Sequence, residues 1–199
     1  MSTRQPDMSA FLKCALEGDE GGMAMLVAQG VDLKKPDRFG DSPLTQLIEH
    51  LQYSPEEHVL RMVKLAVRLG ADPRQTDVDR HDVFGPLVGA MLGMRTEVLR
   101  FLLESGADPN ALIDEGKPIS LYGWAWSDYQ LEVWMGNPLP EQPSEIDKVS
   151  EESWIAFFDR LAVKYGRRRP DYLTVLREFG ALTDAEMAQR RTGSGNSSV

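Results

Sequence analysis

Four apolar stripes of helical spacing recur along the chain: MAMLVAQG (23–30), MVKLAVRLG (62–70), VLRFLLESG (98–106) and YLTVLREFG (172–180). Each places its large aliphatic residues three and four apart, the period of one face of an α-helix. Each ends at a glycine, which takes the left-handed conformation that closes a helix without a Cβ clash. Three of the glycines continue alike, as Gly30-Val31-Asp32, Gly70-Ala71-Asp72 and Gly106-Ala107-Asp108, and Gly180-Ala181 is a weaker fourth. The pattern predicts four second helices of a repeated unit.

The other end of the unit recurs too. Asp37 to Leu44 (DRFGDSPL), Phe84 to Leu87 (FGPL) and Glu115 to Ile119 (EGKPI) each place proline just after a glycine turn. Proline at the first helical position after such a turn predicts a helix start there. Pro86 and Gly106 lie 20 residues apart, and 20 residues before Gly30 is Ala10. In that frame Cys14 and Ala15 take the small-residue places of a first helix, and Gly18-Asp19 the turn between helices.

With these residues in place the chain resembles the ankyrin-repeat family, whose pattern runs D-x-x-G-x-T-P-L-H-x-A-A and closes its second helix with L-L-x-x-G-A-D. The resemblance covers about residues 8–126 and 170–183. It implies an all-α fold: an α-solenoid of about four helix-turn-helix repeats with short hairpin loops, over residues 8–36, 37–75, 76–110 and 111–183. Each repeat would bury its apolar stripe against its neighbours. Leu26, Leu65, Leu69, Leu99, Leu102 and Leu103 are the expected inter-repeat core. Thr45, Val88 and Ser120 stand where the family has histidine, so its hydrogen bond across the turn is expected to be missing.

Two units are stretched. Pro43 and Gly70 are 27 residues apart, an excess of 7 expected around residues 51–56, with Ser54 as an N-cap, Pro55 at the first helical position and Glu57 closing a capping box. Pro118 and Gly180 are 62 apart, which predicts an insertion over about residues 134–169. Within it, 135–144 has three prolines and reads as an extended loop. Residues 150–163 read as a helix with Trp154, Phe157, Phe158, Leu161 and Val163 on its apolar side. Thr183 and Glu186 form a capping box for a terminal helix over 184–191, and 192–199 reads as a flexible tail.

In the ankyrin family, first-helix ends and hairpin tips line a concave surface that recognises proteins. The resemblance places Arg38, Phe39 and Asp41 at a hairpin tip and Glu49 and His50 at a first-helix end. Trp124 and Ala125 take the helix-end places in the fourth unit, as Leu92 and Gly93 do in the third. Arg80, His81, Tyr122, Trp126 and Tyr129 complete the candidate surface. The aromatics among them have a second reading, packing the inserted helix onto the rest, because tyrosine and tryptophan serve both as binding anchors and as core. Arg167, Arg168 and Arg169 either meet an acidic group or flank a helix C-terminus, where cations favour the dipole.

Composition narrows the function. The chain has 199 residues, 42% hydrophobic and 27% charged, which fits one domain or two small ones. No apolar run approaches membrane-spanning length, and residues 1–10 carry no secretory leader pattern. A single cysteine, Cys14, fits a reducing, cytoplasmic setting. The net charge of −9 argues against nucleic acid and anionic membranes and for a neutral or basic protein partner. His50 and His58 are eight apart, not at the i, i+4 spacing of a helical zinc pair, and no phosphate-loop, nucleophile-elbow or CxxC motif occurs. The expectation is a monomeric, non-catalytic protein-binding module without cofactor or metal. An inhibitor or immunity protein against a bacterial toxin, a scaffold or regulatory subunit, and an enzyme with a pocket at the insertion are the three roles weighed.

Overall fold

Short polar side chains open the first three helices. Asp7 caps α1 (Met8–Glu17) by accepting from Ala10 N at 3.0 Å. Asp19 caps α2 (Glu20–Ala28) through Gly22 N at 2.8 Å, and Ser42 caps α3 (Pro43–His50) through Thr45 N at 3.2 Å. Such caps satisfy amides that the helix itself leaves unpaired, each worth about 1 kcal/mol. Then follow α4 (Glu56–Arg68), α5 (Pro86–Leu92) and α6 (Thr96–Glu104). The structure, a computed structural model, describes residues 7–77, 85–114, 118–135 and 138–194, and falls into two units, Met1–Asp108 and Pro109–Val199. The regular elements among the described residues are helices apart from one short two-stranded sheet.

In the first unit the helices pair as α1 with α2, α3 with α4 and α5 with α6; α1 also touches α3, α3 touches α5, and α4 touches α6. Leu99 and Leu102 are fully buried, and Leu26, Leu65 and Leu103 nearly so. Burying each such side chain is worth roughly 1.5–3 kcal/mol. Leu69 departs from expectation: it is only half-buried, because it is the residue on which α4 stops. Gly89 brings α3 and α5 together, since a Cβ there would lie 3.2 Å from Ile48 Cγ2. His58 Nε2 lies 2.8 Å from the Ala15 carbonyl, a polar link from α4 to α1.

The four glycine ends are built alike. Gly30, Gly70, Gly106 and Gly180 have φ between 82° and 113°. After each, the next amide reaches back five residues: Val31 to Leu26 O, Ala71 to Ala66 O, Ala107 to Leu102 O and Ala181 to Leu176 O, at 2.9–3.1 Å. This is the paired-bond helix stop that a left-handed residue permits. The turns between first and second helices use it too, at Gly18 (φ 73°) and Met94 (φ 47°), each 12 residues before its terminal glycine. A side chain in that conformation costs about 1–2 kcal/mol. Met94→Gly is therefore expected to stabilise the chain by about 1 kcal/mol after the entropy glycine returns to the unfolded state, read as a higher urea midpoint at unchanged slope.

The structure corrects several sequence expectations in this unit. Ser54 does not cap α4; Pro55 precedes the helix, which has no side-chain cap. The seven-residue excess is shared between the turn at 51–54 and α4 itself, which has 13 residues where α2 and α6 have 9. Thr45 makes a bond the sequence did not point to: its hydroxyl donates to Asp77 Oδ1 at 2.8 Å, and Ser42 N donates to the same oxygen at 2.8 Å. A threonine and a buried carboxylate 32 residues away thus tie the start of α3.

The second unit opens with strands β1 (Leu112–Asp114) and β2 (Pro118–Ser120), antiparallel, with Ile113 opposite Ile119. Pro118 is therefore in a strand rather than at a helix start. Helix α7 (Leu121–Trp134) is capped instead by Ser120, which accepts from Gly123 N at 2.9 Å. This shifts the expected frame by three residues, so Leu121, not Pro118, corresponds to Pro43. The remaining helices are α8 (Glu151–Tyr165), α9 (Asp171–Glu178) and α10 (Asp184–Ser194), with a 3-10 turn at Ile146–Lys148. Asp184 takes the part Asp77 plays in the first unit, accepting from Ser120 N at 2.6 Å. Gly123 stands where Thr45 does, and a Cβ there would fall 2.9 Å from Asp184 Oδ2.

The inserted helix α8 packs on α9 and shares an aromatic cluster with α7. Its buried face is Ile155, Phe157, Phe158, Leu161 and Ala162; Val163 is exposed, one residue off the face expected for it. The proline-rich segment is tied down by charge. Asp147 accepts from Ser144 N and Oγ and from Arg160 Nη2 at 2.5–2.8 Å, and these bonds hold its carboxyl at about 2. Arg169 pairs with Asp159 at 2.6 Å and so fastens the end of the insertion to α8. The Thr183–Glu186 capping box is formed, and α10 runs to Ser194, three residues past its expected end.

Candidate functional site

In the first unit, the sequence of α3 and its approach places two exposed patches. At the start, Asp37 Oδ1 accepts from Phe39 N at 2.7 Å and Asp41 N at 3.0 Å, and Asp37 N donates to Asp41 O at 3.1 Å. These bonds form a tight tip whose left-handed residue is Gly40 (φ 91°). The tip presents Phe39, 58% exposed, with the Arg38 guanidinium 4.5 Å from its ring centre. Such a cation–ring pair is a preassembled, amphipathic contact. Asp41 is buried at the base of the tip, so its expected role in the surface is corrected to a structural one.

At the other end of α3, Glu49 and His50 are exposed. Eight helical residues span about 12 Å, so the two patches lie within reach of one partner. Beside Glu49 a cleft of about 380 Å³ is lined by Ile48, Gln52, Gly89, Leu92, Gly93 and Arg95. Its rim is Leu92, half exposed, and its charged wall is Arg95. Arg95 Nη2 donates to Leu51 O at 2.9 Å and Gln52 O at 2.7 Å. The buried guanidinium thereby closes the carbonyl end of α3, and burial pulls its pKa down. Sequence reasoning missed Arg95. The available signal was an arginine at the start of a second helix, next to a unit whose loop is too long.

The aromatic candidates of α7 lie elsewhere. Tyr122, Trp126 and Tyr129 are buried within the second unit, which corrects their expected place on a partner surface. Their polar atoms are already used. Trp126 Nε1 donates to Tyr122 Oη at 2.8 Å, Tyr122 donates to Glu151 at 3.2 Å, and Tyr129 donates to Arg168 O at 2.8 Å. Burial pushes the Tyr129 phenol up to about 12 and Tyr122 higher still. Trp124 is half-buried and Ala125 fully buried. With the frame shifted by three, Ser127 and Asp128 take the helix-end places assigned to Trp124 and Ala125. Arg80 and His81 lie outside the described residues.

A second cleft, of about 470 Å³, lies between the first turns of α8 and α10, lined by Lys148, Glu151, Trp154, Thr183 and Glu186 among others. Glu186 is fixed there by Arg177, Nη1 to Oε2 at 2.7 Å and Nη2 to Oε1 at 3.1 Å, which holds its carboxyl at about 2. A depressed carboxylate contributes stability above its unfolded value and loses it as pH falls through the folded one. The contribution of this pair is thus full above the ordinary value of 4.5 and lost on acidifying toward 2. Urea midpoints measured down this range are expected to fall less steeply in Glu186→Gln than in the parent.

Cys14 is half-buried beside Gly22, and burial raises its thiol. Among the described residues no group of three or more histidine, cysteine, aspartate or glutamate side chains is placed to hold a metal ion, and no helix is long and apolar enough to cross a membrane. Neither protein-family models nor curated proteins give a match to the chain.

Proposed function

We propose that this chain is an ankyrin-repeat protein acting as a non-catalytic protein-binding module. The observation that carries the reading is the four-fold recurrence of one helix stop, at Gly30, Gly70, Gly106 and Gly180, joined to the ladder of helix contacts in the first unit. Such a ladder leaves first-helix ends and hairpin tips uncovered, and Arg38, Phe39, Glu49 and His50 stand exposed or half-exposed there. A preformed surface on a rigid scaffold loses little entropy on binding, which favours recognition by shape.

The partner is a basic protein. The net charge of −9 raises its encounter rate and disfavours acidic competitors. Inhibition of a basic toxin or effector fits this description, with the Arg38–Phe39 tip and the cleft beside Glu49 as the contacts. Affinity purification from the source cells, with the intact chain and with an Arg38→Ala, Phe39→Ala, His50→Ala variant, tests the reading. One stoichiometric basic protein, lost with the variant, is the expected result. Retention of the same partner by the variant, or recovery of an acidic assembly, contradicts it.

A further inference from the structure

The first helices α1, α3 and α5 have 10, 8 and 7 residues, whereas α7 has 14. Its added turns belong to the insertion, which therefore begins inside the helix rather than at residue 134. One side of these turns, Val133 and Trp134, is buried. The other carries Leu131 at 62% exposure and, on the left-handed residue that caps the helix end, Met135 at 71%. With Trp124, Ser127 and Asp128 they follow a spacing of three and four residues along the helix, a single stripe about 16 Å long. Two exposed apolar side chains beside acidic ones make this an amphipathic strip on an otherwise well-packed helix.

Charge identifies what covers it. Asp128 Oδ2 is buried and has no hydrogen-bond partner, and no cation pairs with Asp128 or with Glu132 one turn on among the described residues. Several carboxylates elsewhere in the same unit are matched: Asp147 with Arg160, Glu141 with Lys164, Asp159 with Arg169 and Glu186 with Arg177. Burial and the neighbouring Glu132 charge push the Asp128 carboxyl up. An arriving donor with positive charge would meet half-buried Asp128 and exposed Glu132 together, not the Oδ2 atom shut off from the surface, and charge-assisted bonds are the strong ones. A second copy of this chain or an anionic lipid surface would bring more negative charge to it.

We propose that the outer face of α7, from Trp124 to Met135, is a docking strip for a cationic apolar segment of a partner protein, with its arginine or lysine on Asp128 and Glu132 and its aliphatic side chains on Leu131 and Met135. The proposal rests on the protein-binding reading but not on the surface around α3. It adds a second contact region with a stated chemistry.

Selection from a random dodecapeptide display library on the intact chain tests it with no natural partner in hand. The enriched peptides are expected to carry arginine or lysine flanked by leucine, methionine or phenylalanine. Their affinity is expected to fall about tenfold on Asp128→Asn and on Leu131→Ser, to weaken with added salt, and to be unchanged on Phe39→Ala. Met135→Ser gives a third probe, and unchanged urea midpoints certify the fold of each variant. Peptides that lose affinity only on Phe39→Ala overturn the strip while leaving the α3 surface standing. Enrichment of acidic peptides, indifference to the three α7 variants, or no enrichment also overturns the strip.

Discussion

Phe158→Ala is expected to cost about 3–5 kcal/mol, the largest effect of any single substitution considered for this chain. Phe158 is 1% exposed. Its ring lies 4.9 Å from Trp126, 5.2 Å from Trp154, 6.1 Å from Tyr129 and 6.3 Å from Trp134, centre to centre, mostly edge to face. Edge-to-face pairs contribute beyond the area they bury. The insertion would thus lose a central side chain of the cluster that connects α8 to α7. A polar surface helix would tolerate the same change at almost no cost. Urea unfolding followed by tryptophan fluorescence reads the result, because Trp126, Trp134 and Trp154 surround the site. A loss under about 1 kcal/mol, far below the usual cost of such a truncation, would mean that α8 does not rest on α7.

Leu102→Ala is expected to cost about 2–5 kcal/mol and to lower the thermal midpoint by on the order of 10 °C. Leu102 is fully buried, and its carbonyl accepts the Ala107 amide in the helix stop at Gly106. The substitution therefore opens a cavity in the α4–α6 layer close to one of the four recurrent stops. Because α4 packs on α6, the loss is expected to spread beyond α6. Amide exchange of α4 is the specific readout. Faster exchange there, in a helix that does not contain the mutation, distinguishes shared packing from a local defect.

The second helices were legible because one physical requirement, a left-handed residue after an apolar face, leaves glycine in the sequence. The turn at Met94 shows the limit of that signal: the same conformation occurs there without glycine, and only the 12-residue spacing to Gly106 marks it. The start of α7 was misplaced for a related reason. Proline is favoured at a first helical position, but Pro118 sits just as well in a short edge strand, and Ser120 supplies the cap. Thr45 shows a third case. Its hydroxyl donates to Asp77, 32 residues away, and no local pattern names that partner.

The candidate surface was legible where local chemistry sets exposure. The tip at Arg38 and Phe39 follows from Asp37 and Gly40, which are sequence neighbours. The aromatics of α7 were not, because tyrosine and tryptophan have the same spacing whether they face a partner or a helix inserted later in the chain. What buries Tyr122, Trp126 and Tyr129 is the packing around α7 that α8 completes, and no local pattern says on which side of α7 it lands. Arg95 and Asp128 were missed for the same reason. Each acquires its meaning from a carbonyl, or from the lack of a cation, that only the folded chain brings near.

In the first unit neighbouring helical hairpins touch one another, and a close approach between them is Gly89 on α5 against Ile48 on α3. Nuclear Overhauser spectroscopy on the intact, methyl-labelled chain measures that approach directly. A strong cross-peak between the Ile48 γ2 methyl and the Gly89 α protons is the expected result, since only about a methyl's width separates them. Absence of that cross-peak in a folded, fully assigned spectrum would contradict the stacked arrangement and the binding surface built on it.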